Sequence, residues 1–229
     1  MARERFAAAA AELAEIGRRF YARGWALGTS GNLSAVVSRK PLRLAITPSA
    51  ARKGELRAAD ILRCDECGAV VGNPNGGPGV GHRGALKRGA AGRPRPSAET
   101  LLHVEIARSR GAGAVLHTHS VWNTVLSDRH AAEGGLALEG YEMLKGLQGV
   151  RSHEHREWIP IVENDQDMPR LARAVHEVLA RSTDTHAFLL RRHGLYTWGE
   201  TLADAERHVE ILEFLFETIG RRAQISSVN

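Results

Sequence analysis

Cysteine is scarce in this chain of 229 residues: there are two, Cys64 and Cys67. Two thiols cannot staple a disulfide scaffold, and a chain of this length buries a sufficient core without one. No apolar run approaches the roughly 18–20 residues that cross a bilayer. The first residues carry Arg3, Glu4 and Arg5 and are soon interrupted by Glu12 and Glu15, so the apolar middle of a secretory signal is missing. These absences predict a cytoplasmic protein with no membrane partner. A second Cys-x-x-Cys is also missing. Cys64-Asp65-Glu66-Cys67 therefore reads as a turn with two ordinary thiols rather than half of a zinc ribbon, for which only His82 stands nearby.

Acidic residues are absent from Gly72 to Pro96. That segment holds Arg83, Lys87, Arg88, Arg93 and Arg95, which together match the whole net charge of +5, so the rest of the chain is neutral. Five cations in one Gly- and Pro-rich loop do not make a groove-reading surface, and Trp122, Trp158 and Trp198 are scattered rather than interleaved with basic residues. No nucleic acid is expected as partner. What is present, 43% hydrophobic and 25% charged residues, is the composition of a globular chain, and the length suits one domain spanning 1–229.

Hydrophobic spacing and turn residues set the order of elements. An Ala- and Leu-rich stretch over 4–23 predicts a helix stopped by Gly24. Leu33–Val37 and Leu42–Thr47 predict a strand pair around the turn Ser38–Pro41, with further short strands at Ile61–Leu62 and Ala69–Val71. The crowded segment 72–96 is predicted as a long basic loop. Ser97 is placed to cap a helix running to Gly111, and Ala114–Leu116 is a strand that delivers His117-Thr118-His119. Ile159–Val162 and Ala187–Leu190 are strands, with a helix at Leu171–Leu179 between them. Thr201 and Asp204 cap a last helix whose Leu202, Ala205, Val209, Leu212, Phe216 and Ile219 recur every three or four residues. Interleaved helices and strands predict a single α/β domain.

Chemistry concentrates at the strand ends. His117 and His119, two residues apart on a strand, point the same way and can reach one ion. A catalytic zinc site takes about three protein ligands, and His193, which also follows an apolar strand, is the natural third. Three polar turns accompany them: Gly28–Ser34, Thr47-Pro48-Ser49 and Pro96–Glu99. Backbone N–H groups and hydroxyls in such turns can hold a phosphate, and the third opens a helix whose dipole favours an anion. The set points to a phosphorylated small molecule as substrate. A second His-x-His, His153 and His155, lies in the charged run Arg151–Glu157 and is expected in a solvated loop.

These same segments, Gly28–Ser34, Ile46–Ser49, Pro96–Glu99, His117–His119 and Arg192–Gly194, resemble the class II aldolase/adducin family, in order and over nearly the whole chain. Tyr141–Gly146, Pro160–Asn164 and Arg191–Thr201 are similar to the family's dehydratases of a phosphorylated ketose and set the chain apart from its sugar-phosphate aldolases and epimerases. The resemblance implies a three-layer α/β/α fold with a central, largely antiparallel sheet flanked by helices. It also implies a homotetramer and one zinc ion per subunit on His117, His119 and His193. It gives the acid/base role to Glu142 first and to Glu99 second. Phosphate contacts are expected at Ser30, Gly31, Asn32, Ser49 and Ser97. A sugar-phosphate aldolase or ribulose-phosphate epimerase is the alternative activity, and an adducin-like homologue without catalysis the remote one. Segment 72–96 departs from the family in being longer and more basic.

Overall fold

The computed structural model describes residues 2–72 and 94–226. The first helix, α1 (Ala2–Ala22), buries Phe6, Ala10, Leu13, Ile16 and Phe20, one face at helical spacing. It ends where expected, at Gly24, whose φ of +78° is the left-handed geometry that a helix stop uses. Next come β1 (Asn32–Arg39), β2 (Leu42–Ile46) and β3 (Leu62–Asp65), then α2 (Thr100–Ser109) and β4 (Ala114–Thr118). They are followed by α3 (Val121–Arg129), β5 (Gly135–Leu138) and β6 (Glu157–Val162). The chain closes through α4 (Met168–Arg181), β7 (Ala187–Leu190), β8 (Gly194–Gly199) and α5 (Leu202–Ser226).

The strands form one eight-stranded sheet in the order β3-β2-β1-β4-β8-β7-β6-β5. Among the described residues only β6 and β7 run parallel, so the sheet is largely antiparallel, as the family resemblance implied. Every residue of β4 is buried, because helices cover both faces. Ala114 and Leu116 pack with α1 and the start of α5. Val115 packs on the other side with Leu102 and Ile106 of α2 and with Leu171, Val175 and Leu179 of α4. The period of two then sends His117 to the α2/α4 side and Thr118 to the α5 side.

Three expectations need correction. Ala69–Val71 is not a strand; Val70 makes an isolated bridge to Cys64. Ser97 does not cap α2: the residue before the helix is Glu99, with no side-chain cap. The Ser97 hydroxyl instead accepts the Glu99 N–H at 3.3 Å and the Asn32 amide at 3.2 Å, tying a turn together two residues too early to cap. Glu157 is buried and His155 half-buried rather than both solvated, as shown below. The α5 cap is as expected, with Asp204 N–H donating to Thr201 Oγ1 at 3.1 Å and Thr201 N–H to Asp204 Oδ2 at 3.2 Å. Cys64 is buried and Cys67 exposed, both free thiols. Of the basic loop, residues 73–93 lie outside the described residues.

Candidate metal centre

His117 is the penultimate residue of β4, paired across the sheet with Asn32 of β1 and Tyr196 of β8. His119 follows two residues later, its N–H held by the Trp25 carbonyl at 2.8 Å. His193 sits in the tight turn between β7 and β8. Arg192 in that turn has φ +54°, a strained value for a side-chain-bearing residue. The strain is held by Arg192 N–H donating to Ser127 Oγ at 3.0 Å and by Asp128 pairing with both Arg191 and Arg192. Gly194 completes the turn, since a Cβ there would stand 2.1 Å from the Thr118 carbonyl oxygen.

The three imidazoles converge, with one ligand nitrogen from each lying within 4.8 Å of the others. His117 Nδ1 donates to the Leu195 carbonyl at 2.8 Å, which leaves Nε2 as a lone pair aimed at the cluster. His193 Nδ1 faces Asn164 Oδ1 at 3.3 Å, which orients its Nε2 the same way. His117 Nε2 is 2.7 Å from His119 Nε2, and His193 Nε2 is 3.2 Å from Glu99 Oε1. Nitrogens and a carboxylate this close need either a shared proton or a cation among them. Burial, reinforced by each neighbouring ring, holds His117 well below the usual histidine range, and burial pushes His119 down to about 3. Neutral imidazoles are the form that binds a metal. The donor set therefore fits a divalent cation with three nitrogen ligands and a carboxylate beside it.

Glu99 is positioned by a buried chain of polar groups. Asn32 Nδ2 donates to Glu99 and to Ser97 Oγ, and Asn32 Oδ1 accepts from His103 Nε2. His103 Nδ1 in turn accepts from Ser34 Oγ at 2.7 Å. Burial drops His103 to about 3, so it stays neutral and can act as donor on one nitrogen and acceptor on the other. Behind His117 the Tyr196 ring stacks at 3.9 Å, and burial together with Glu99 keeps its phenol protonated. The polar turns expected to hold phosphate are brought to this same end of the sheet. Ser49 N–H donates to Arg95 O at 2.8 Å, Pro48 bridges Pro96, and Ser97 meets Asn32. Ser30 Oγ is buried without a hydrogen-bond partner among the described residues.

Gly31 is required by geometry. Its φ is +71°, and a Cβ would lie 2.7 Å from the His117 carbonyl oxygen, so the turn rests directly on the ligand strand. Gly31→Ala should therefore lower stability by about 1–3 kcal/mol and weaken metal retention, read by thermal melting and by metal content after dialysis. Unchanged values in both would contradict the contact.

Two charged residues near the site were not expected. Lys53, 1% exposed, directs Nζ to Ala51 O at 3.0 Å and Thr29 O at 3.4 Å, and burial pushes its ammonium down to about 8. Glu213, on α5, is also buried; it accepts from Thr118 Oγ1 at 2.7 Å and Asn123 Nδ2 at 3.0 Å, and burial pushes it up to about 7. Since the folded value lies above the free value of 4.5, the protonated form favours folding. That stability is present below pH 4.5 and is lost as pH rises to 7, by about 3 kcal/mol in all. Glu213→Gln should therefore melt above the parent at pH 8 and converge with it near pH 5, measured on metal-free protein. Parallel curves would contradict the assignment.

Glu142 is not brought to the histidines. It lies in a short 3-10 turn, Glu142–Gly146, after β5, and three strands separate β5 from β4. Its carboxylate, 72% exposed, meets Lys145 Nζ at 2.5 Å and His153 Nδ1 at 3.8 Å. The next run, expected in solvent, turns inward at Glu157, where β6 begins. Glu157 is 1% exposed and accepts from His155 Nε2 at 2.8 Å and His186 Nδ1 at 3.0 Å, so His155 supports a buried carboxylate.

Comparison with known proteins agrees with this architecture. A protein of Methylococcus capsulatus named methylthioribulose-1-phosphate dehydratase is 45% identical over 213 residues, covering 93% of each chain. One of the same name from Sorangium cellulosum is 39% identical, covering 93% of this chain and 91% of that one. Among solved structures, L-fuculose-1-phosphate aldolase from Thermus thermophilus superposes with a TM-score of 0.69 at 22% identity, covering 98% of both chains. A sugar-phosphate aldolase from Thermotoga maritima gives 0.67 at 18% identity, covering 97% of this chain and 96% of that one. At those identities the structures speak for the fold alone. Residues 11–219 match the family described as Class II Aldolase and Adducin N-terminal domain, and with relatives this similar over nearly its whole length, the chain belongs to that family.

Proposed function

We propose that this protein is a hydro-lyase that dehydrates 5-methylthioribulose 1-phosphate to 2,3-diketo-5-methylthiopentyl 1-phosphate, a step of methionine salvage. The observation that carries the reading is the convergence of His117, His119 and His193 beside Glu99, in a chain 39–45% identical to relatives that bear the dehydratase name. Those histidines would hold one zinc ion, and the chemistry it supplies when bound is Lewis-acid polarisation of the substrate's C2 carbonyl.

This chain's own residues do the rest. A carboxylate takes the proton from C3; the electron pair forms the C3–C4 double bond while the C4 hydroxyl departs, protonated, as water. The resulting enol ketonises by taking a proton at C4. The family resemblance favours Glu142 for these transfers, and the geometry within the chain favours Glu99, held by Asn32. Glu142 is exposed and would serve a centre across a subunit contact in the homotetramer that belongs to this reading. Phosphate at the turns of Ser30, Gly31 and Asn32, of Ser49 and of Ser97 would anchor the substrate away from the reacting carbons, so that remote binding energy fixes their orientation.

A sugar-phosphate aldolase is the second reading, favoured by the observation that Glu99 and not Glu142 stands at the histidines. Turnover in deuterated water separates the two. Dehydration leaves an intact five-carbon chain carrying one solvent deuterium at C4. Cleavage of a C–C bond leaves two shorter fragments and would overturn the proposal.

A further inference from the structure

Lys53 stands where a cation has an expensive position and no evident structural return. It belongs to the short turn Lys53–Glu55, packed against α1, and is 1% exposed. Its ammonium carries three N–H donors and meets two backbone carbonyls, Ala51 O at 3.0 Å and Thr29 O at 3.4 Å. Among the described residues no carboxylate lies within ion-pair distance of it; Glu99 acts on it only through space. Buried charges are normally paired, because two carbonyl dipoles replace lost hydration poorly.

The location supplies the missing partner. Thr29 belongs to the turn Gly28–Ser34 and Ala51 follows the turn Thr47–Ser49, so the ammonium reaches between two of the three polar turns. Beside Thr29, the Ser30 hydroxyl is buried with no hydrogen-bond partner among the described residues. Ala50, between Ser49 and Ala51, is held at φ +57°, a conformation that a side-chain-bearing residue rarely adopts. An unneutralised cation, an orphaned hydroxyl and a strained turn meet at the same end of the sheet as the histidine cluster. The cation and the hydroxyl can both donate to a doubly charged oxyanion with several acceptor oxygens.

We propose that Lys53 is the cation that receives the phosphate group of the substrate, with Ser30 donating beside it. The proposal rests on the phosphorylated-ketose reading for its substrate, but its test does not. A Lys53 that only ties the two turns together would also lower phosphate affinity when removed, so the two roles are separated by where a bound anion sits: within hydrogen-bond distance of Nζ or away from it.

The experiment is calorimetric titration of the metal-loaded protein with inorganic phosphate, parent against Lys53→Met. The expected result is at least about a tenfold loss of phosphate affinity in the variant with metal content unchanged, the range of one charge-assisted contact. With a phosphorylated ketose that is turned over, KM should rise by a similar factor while kcat falls less. Equal phosphate affinities, or no binding to the parent at millimolar phosphate, would overturn the proposal. Crystals of the parent soaked in tungstate decide between the two roles, and do so even if Lys53→Met fails to fold. Anion density within hydrogen-bond distance of Nζ upholds the assignment, and an anion bound elsewhere, or none, overturns it. A parent that binds phosphate through Lys53 yet removes no water from 5-methylthioribulose 1-phosphate would defeat the dehydratase reading and leave the anion site standing.

Discussion

His117→Ala should purify without bound metal and without turnover. His117 is completely buried, its Nδ1 is fixed on Leu195 O at 2.8 Å and its ring is stacked on Tyr196, so the fold holds this ligand in place. Loss of a supporting partner of a metal ligand costs 10–100-fold in affinity, so removing the ligand itself should cost more than about a hundredfold. Metal analysis after gel filtration and a product assay check this together. A variant that keeps full metal and full activity would remove His117 from the ligand set. Thermal melting of both metal-free proteins separates this from unfolding, because the cavity left by the ring is an independent cost of the same substitution.

Glu142→Gln should divide the two functions that His117→Ala removes together. Metal should remain, since Glu142 meets none of the three histidines within the described chain, and turnover should fall by about 10²–10⁴, the range for loss of a general acid or base. Stability should scarcely change, because exposed pairs such as Glu142 with Lys145 contribute little. The measurement is steady-state kinetics with metal content and a melt on the same preparation. Full activity would pass the proton transfers to Glu99. For Glu99→Gln the contrasting result is a loss of activity with a change in metal affinity too, since its Oε1 lies 3.2 Å from His193 Nε2.

Much of this was legible in the residues because local rules sufficed. The spacing of His117 and His119 predicts a shared direction, and the chain keeps it one residue past the end of β4. The apolar stripe of α5 and its Thr201–Asp204 cap are set by near neighbours. The strands β5 and β8 and the helix α3 were not anticipated: Gly135–Leu138 is four residues long, and Gly194–Gly199 reads as a motif before it reads as a strand. Ser97 reads as a cap in sequence, but its hydroxyl answers to Asn32, a partner 65 residues away.

The charged groups that surround the centre were the least legible. Lys53 and Glu213 look like solvated residues in sequence, and only burial by distant elements makes them unusual. Glu157 sits in a run with Arg151, Glu154 and Arg156 that suggests a wet loop. Its burial follows from β6 starting there and from two histidines closing over it. One signal was available for Lys53: it follows closely on the Thr47–Ser49 turn. Nothing in that spacing shows that Thr29 lies within reach. Gly31 was expected as a phosphate contact, and the structure adds a second reason for glycine in the close approach of His117 O.

The central claim is loss of water from a phosphorylated ketose, and mass analysis of 5-methylthioribulose 1-phosphate incubated with the zinc-loaded protein tests it most directly. The account predicts a single product lighter by one water with its carbon chain intact. Fragments from C–C cleavage, or unchanged substrate in the presence of bound zinc, would contradict it.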